Sequence, residues 1–265
     1  MFKKFFACFL AVVYVFAATV NAFAAGAPVF DKSGLDSGVV RVSYDNKTNV
    51  KLKIMIQKQD KSYYYDLEQG DSFPLQFGNG SYTVAVLGNV SGNKYKILEK
   101  DTLDLELANE NKVFLNSIKL VNWNENMAAV KKARELTKNA KTDMEKVKAI
   151  YEYVTGGIAY DDKKINSLEL EYVPVVDEIL AKKSGICYDY SVLYAAMLRS
   201  VNVPAKLVMG HRNDITAYHA WNQVYLKEQG KWITIDTTYD STFRQEGGTT
   251  LMIKDESNYK VDKIY

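Results

Sequence analysis

Cysteine is nearly absent from this chain: 265 residues hold two, Cys8 and Cys187. Histidine is as scarce, with His211 and His219 alone. So few thiols exclude a disulfide-rich scaffold. No CxxC or HxxxH spacing is present, which argues against a zinc site built from Cys187, His211 and His219. Four prolines and no biased tract leave little room for a long linker. Neither sign of charge dominates: 34 Lys and Arg stand against 32 Asp and Glu, without a dense basic patch, so nucleic acid is not an expected partner. Phosphate-cradling glycine loops and EF-hand loops are also missing, and no metal or other cofactor is expected. What remains is 47% hydrophobic and 25% charged, the balance of a globular chain.

The first residues have the pattern of a secretory signal. Lys3 and Lys4 precede an apolar run from Phe5 to about Val20, followed by Ala22-Phe23-Ala24, a small-x-small cleavage pattern. Residues 1–24 are therefore expected to be removed after Ala24, giving a secreted or cell-surface protein. Later stretches are too short and too polar to cross a bilayer, so no transmembrane segment is expected after cleavage. Cleavage would remove two lysines and no acid, taking the formal net charge from +2 to zero. It would also leave Cys187 as the only cysteine, unable to form an internal disulfide. A buried inert residue and a reactive thiol are the two explanations for it.

Two kinds of periodicity divide the rest. Between residues 25 and 120, Leu52, Ile54 and Ile56 alternate with Lys51 and Lys53, and Leu103, Leu105 and Leu107 alternate with Asp104 and Glu106. Turn clusters such as Gly78-Asn79-Gly80 and Ser91-Gly92-Asn93 separate these runs, which predicts a small all-β, sandwich-like domain. Tyr63, Tyr64 and Tyr65 fit cross-strand pairs on such a sheet. Residues 121–245 change character. A helix is expected over 124–139, and Thr142-Asp143-Met144-Glu145 forms a capping box before Val147, Ile150, Tyr151 and Val154 at helical spacing. Further helices are expected near 175–182 and from Cys187 to Ser200. Strands follow at 205–209, 218–227 and 231–236, and His211 falls in a polar stretch expected to be a loop. Helices first and an antiparallel sheet second make an α+β domain. Residues 246–265 are left as a C-terminal tail packing on it.

Three scarce or well-placed side chains fall where thiol chemistry needs them. Cys187 opens a helix just after Ser184 and Gly185, His219 lies on one strand, and Asp236 ends the next. A thiolate attacks where a thiol does so poorly, and a helix N-terminus and an imidazolium both favour the thiolate. The Cys187 amide would stabilise an oxyanion, His219 would carry the proton, and Asp236 would fix the imidazole tautomer. Tyr160, Tyr188 and Trp221 are further candidates for a substrate wall or oxyanion donor. Trp221 follows His219 by two and so shares its sheet face. Each has an ordinary alternative: core packing for Trp221, a surface ring for Tyr160, a turn cap for Asp236. Asp189 simply suits a helix start.

Gly185-x-Cys187 opening a helix, His219-Ala220-Trp221 on a strand and Ile235-Asp236-Thr237 on the next resemble the transglutaminase-like superfamily, a bacterial secreted type, over about residues 125–240. The resemblance implies a core related to papain-like cysteine proteases, with Cys187, His219 and Asp236 as nucleophile, acid/base and orienting carboxylate. It implies an acyltransferase or amide hydrolase acting on protein or peptide amides through a Cys187 thioester, with a cell-envelope component among the partners to consider. Two alternatives stay open: a cysteine peptidase or amidase with water as acceptor, and a non-catalytic cell-surface or binding module.

Overall fold

The computed structural model describes residues 29–168 and 171–265. The expected signal segment, residues 1–24, lies outside the described residues. Strands β1 (Phe30–Asp31), β2 (Val39–Val42), β3 (Leu52–Lys58), β4 (Lys61–Asp66), β5 (Asp71–Pro74), β6 (Gly80–Ser91) and β7 (Lys94–Leu105) come first. They form a three-stranded sheet in the order β1-β2-β5 and a four-stranded antiparallel sheet in the order β4-β3-β6-β7. Leu52, Ile54 and Ile56 are buried and their neighbours are not, as the alternation predicts. Val40, Val42 and Phe73 of the small sheet join Ile54, Ile56 and Val84 of the larger one in a buried core. β6 and β7 form one long hairpin turning at Gly92, whose φ of 50° is left-handed and suits glycine. The tyrosines of β4 pair across to β3 as expected, Tyr63 with Ile56, Tyr64 with Met55 and Tyr65 with Ile54. Tyr64 is exposed, whereas Tyr63 and Tyr65 pack on Tyr265, with ring centroids 5.3 and 5.7 Å away.

Helices α1 (Ala128–Thr137) and α2 (Asp143–Gly157) follow. Thr142 caps α2 by accepting the Glu145 N–H at 3.2 Å, while the Glu145 carboxylate reaches back to the Lys141 N–H. The box is thus closed one residue earlier than the sequence pattern predicts. Then come β8 (Ala159–Tyr160), α3 (Asp162–Ile165), α4 (Val176–Lys182), β9 (Ser184–Gly185) and α5 (Cys187–Ser200). The last group is β10 (Ala205–Arg212), β11 (Ile215–Leu226), β12 (Lys231–Ile235), α6 (Thr237–Gln245), β13 (Ile253–Lys254) and β14 (Tyr259–Ile264). These strands make a five-stranded antiparallel sheet in the order β13-β12-β11-β10-β14. The order of an all-β part, then helices, then an antiparallel sheet is the α+β arrangement expected from the sequence. His211 differs: it lies within β10, not in a loop.

The centre of the second part is α5. Residues 189–199 of this helix are all buried, on every side. β10 and β11 cover one face, and α1, α2, α4 and α6 cover the others. A helix apolar all round has to be a core element. Burying each large apolar side chain, such as Leu193 or Leu198, contributes about 1.5–3 kcal/mol. The first turn of α5 is therefore held by a helix buried on every side, a rigid support for positioning a reacting atom.

Candidate active site

Cys187 is the first residue of α5; the N-cap Ile186 offers no side-chain acceptor to the free N–H groups that follow it. What positions it is a close approach. The approach segment β9 runs parallel to β8, pairing Tyr160 with Gly185. The left-handed residue that ends α4 is Lys183, with φ of 50°. Gly185 is needed for a different reason from a sharp turn: a Cβ there would lie 2.6 Å from the Cβ of Asp189. The Asp189 carboxylate folds back beneath Gly185 and accepts the Ile186 N–H at 2.8 Å. It also accepts from Lys164 Nζ at 2.6 Å and from the Tyr172 hydroxyl. Asp189 is fully buried, so these donors satisfy a charge that would otherwise be costly. This cluster ties the segment after β8 to the helix start. Its only sequence signal was an acidic residue in the first turn, which many helices carry.

His219 lies on β11, beyond the stretch that β12 covers, since the β11–β12 ladder ends at Asn222 opposite Ile235. Asp236 has already left the sheet. It is the N-cap of α6, accepting the Tyr239 N–H at 3.0 Å through Oδ1. Its Oδ2 meets His219 Nε2 at 2.8 Å. The turn-capping role and the histidine partnership therefore belong to the same carboxylate. The contact is diagonal across the strand ends, not between directly opposed residues, and α6 was not foreseen from the sequence.

With Nε2 taken by Asp236, Nδ1 is the ring nitrogen left for Cys187. Burial alone would push His219 down. The charge and hydrogen bond of Asp236, with Cys187 beside the ring, overcome it and raise the imidazole to about 10. Asp236 is correspondingly held below the usual carboxylate range: burial opposes this, and the His219 charge and its hydrogen bonds prevail.

Cys187 and His219 open onto a cleft of about 620 Å³. Its walls include Tyr160, Ile165, Leu168, Ile215, Tyr218 and Tyr239. Tyr160 thus stands where the sequence expected a wall, and burial, then the neighbouring Cys187, push its hydroxyl up to about 12. The other two candidates lie elsewhere. Trp221 is buried behind the histidine, its ring stacked on the imidazole with centroids 6.1 Å apart and planes 20° apart. Tyr188 turns from the cleft onto Tyr172, edge to face at 6.2 Å, because the helix start sends successive side chains in different directions. His211 faces Asp262, 3.5 Å away. Among the described residues, no group of three or more His, Cys, Asp and Glu side chains converges as a metal ion requires.

Residues 130–237 match the family model described as the transglutaminase-like superfamily, and this stretch spans Cys187, His219 and Asp236. The chain carries a transglutaminase-like superfamily domain. Over 117 aligned residues the chain is 28% identical to human kyphoscoliosis peptidase, covering 40% of this chain and 17% of that protein. A further similarity, 31% over 101 residues, is to the protein-glutamine gamma-glutamyltransferase of Pseudomonas aeruginosa, covering 33% of this chain and 15% of that protein. The chain thus spans less than a fifth of the length of these curated relatives. Among solved structures, Legionella pneumophila LapG is similar with a TM-score of 0.36 and 16% identity, over 52% of this chain and 84% of that one. The matched stretch begins within α1 and ends one residue after Asp236, so the N-terminal sheets and β13–β14 lie outside it.

Proposed function

We propose that this protein is a thiol enzyme that forms an acyl-enzyme at Cys187 from protein or peptide amides. The observation that carries it is the Cys187–His219–Asp236 line: a thiol at a helix start beside an imidazole whose far nitrogen is held by a buried carboxylate. The sulfur attacks the amide carbonyl as a thiolate, with the imidazolium as its neighbour. The carbonyl oxygen takes up the negative charge, and the Cys187 N–H at the uncapped end of α5 is the donor available to it. As the C–N bond breaks, His219 gives its proton to the departing amine, leaving a C–S thioester. An incoming amine or water then loses a proton to His219, attacks the thioester and releases the thiolate. Asp236 keeps the ring oriented through both steps. The apolar part of the cleft wall, Ile165, Leu168, Ile215, Tyr218 and Tyr239, suits an apolar stretch of polypeptide.

Amine as acceptor gives acyl transfer, and water gives hydrolysis. The relatives matched over the domain are named for both, a peptidase and a glutamyltransferase. Export is part of the proposal, resting on the residue 1–24 pattern. No helix among the described residues is long and apolar enough to cross a membrane. The deciding experiment incubates the protein with a glutamine-containing donor and a fluorescent amine. Amine incorporation that disappears in Cys187→Ala supports transfer. Release of fragments or ammonia without incorporation, again lost in Cys187→Ala, supports hydrolysis. Turnover unchanged by that substitution, or Cys187 alkylation no faster than a free model thiol, would overturn the nucleophile.

A further inference from the structure

Residues 253–265 lie outside the matched stretch, yet they reach the candidate centre. β14 pairs antiparallel with β10 and sets Tyr259 opposite Arg212. The Tyr259 hydroxyl donates to Asp236 Oδ2 at 3.1 Å, the same oxygen that meets His219 Nε2. Its ring packs against Trp221 with centroids 4.9 Å apart, and Trp221 in turn stacks on His219. The Arg212 guanidinium lies over the Tyr239 ring at 3.6 Å and near the Tyr259 ring at 5.5 Å, closing the arrangement from β10. Burial, then the Asp236 charge, push the Tyr259 hydroxyl far up, so it stays a neutral donor at any working pH.

The approach of this strand is built in. A Cβ at Gly210 would collide with the Lys260 carbonyl oxygen and come within 3.0 Å of the Trp221 ring. The strand's far end is gripped by the N-terminal sandwich: the Ile264 N–H donates to the Tyr63 hydroxyl at 2.8 Å, and Tyr63 and Tyr65 hold the Tyr265 ring.

We propose that Tyr259 is a positioning residue for the Cys187–His219–Asp236 centre, delivered by the C-terminal strand and clamped there by the sandwich. This rests on the centre proposed above. The hydroxyl fixes the rotamer of the Asp236 carboxylate and shares the charge on Oδ2. The ring backs Trp221 and, through it, the plane of the imidazole. The groups around the His219–Asp236 pair are Cys187 from α5, with Tyr160 from β8 beside it, Arg212 from β10, Tyr239 from α6, and Tyr259 itself, with Asp240 from α6 beside it. Among the described residues, only Tyr259 and the Tyr239 N–H join His219 in hydrogen-bonding the carboxylate.

The test is Tyr259→Phe in the full chain, which keeps the ring and removes the hydroxyl. His219 is followed by NMR across pH, with a His211→Gln chain to assign the two imidazoles. Without the shared donor, Asp236 holds the imidazolium more tightly, and the His219 midpoint moves upward by about half a unit or more. The rate of Cys187 alkylation by iodoacetamide is followed across the same pH range, and its profile is displaced with that of His219. Val261→Ala, a half-exposed position on the same strand, leaves both readouts in place. An unshifted His219 in Tyr259→Phe overturns the proposal, and so does an equal shift in Val261→Ala, which would mean general loosening. Tyr63→Phe tests the clamp, and keeps the proposal open to refutation should Tyr259→Phe not fold. It should shift His219 in the same direction by less, and no shift would overturn the sandwich's part. Slow alkylation of the unsubstituted chain would defeat the nucleophile reading alone, since the NMR readout needs no turnover.

Discussion

Two carboxylates flank the Cys187 end of α5, and they are built alike. Asp189 and Asp236 are both fully buried. Each accepts a backbone N–H at a helix start, from Ile186 at 2.8 Å and from Tyr239 at 3.0 Å. Each accepts a tyrosine hydroxyl, from Tyr172 and from Tyr259. Each meets one basic side chain, Lys164 at 2.6 Å and His219 at 2.8 Å. The basic partner is the difference. An ammonium only donates, whereas an imidazole takes up and gives back a proton and offers a second nitrogen to the sulfur. The same donor set therefore anchors a loop on one side of the thiol and an acid–base group on the other.

Breaking the two halves separately should have opposite signatures. Asp236→Asn is expected to lower turnover on the order of 100-fold or more, because an amide cannot select the His219 tautomer or stabilise its charged form. Steady-state rates on the donor identified above would read this, and parental rates would put the two carboxylates on one footing. Asp189→Asn should instead cost about 2–4 kcal/mol of stability, since Lys164 loses its buried counter-charge. Denaturant titration measures that loss, while turnover of the folded fraction should change by less than about threefold.

A pH series sharpens the contrast. The folded value of His219 is raised, so its contribution to stability is complete below the free-histidine range and lost as pH rises through about 10. The folded value of Asp236 is lowered, so its contribution is present above the ordinary carboxylate range and lost as pH falls through the folded value. Thermal melts of the parent and of His219→Gln should differ most between about pH 5 and 6 and converge near pH 10. A gap that persists above pH 10 would contradict the pairing. The smallest effect is expected at Tyr172→Phe: about 1 kcal/mol of stability, with the alkylation profile of Cys187 in place. A profile displaced as in Tyr259→Phe would mean that the Asp189 side also governs the thiol.

Much of the scaffold was legible because it follows local rules. Alternation in Leu52–Ile56 places a strand whatever its neighbours are. Thr142 and Glu145 mark the start of α2, and Gly156-Gly157 its end, from groups within one turn of each other. Cys187 at a helix start and His219 on a strand were readable in the same way. The Asp189 cluster was not, because Lys164 and Tyr172 join it from a segment whose path the residues around Cys187 do not encode. Nor was the hold on Asp236 from the far side. Tyr259 and Val261 alternate with Lys260 and Asp262, yet nothing in that alternation names β10 as the partner. Tyr188 and Trp221 were named from sequence spacing, and the packed helix and sheet turn them to the back of the cleft.

The sequence by itself determined many of the elements, the single thiol in the described chain and the residue types that could serve it, because helix periodicity, strand alternation and caps act over a few residues. Tertiary structure alone decided that Lys164 and Tyr172 close on Asp189, that α6 holds Asp236 against the imidazole, and that a strand outside the matched stretch supplies a hydroxyl to the pair. Those outcomes depend on distances between segments far apart in the chain, which the packing of α5 and α6 and the pairing of β14 with β10 fix.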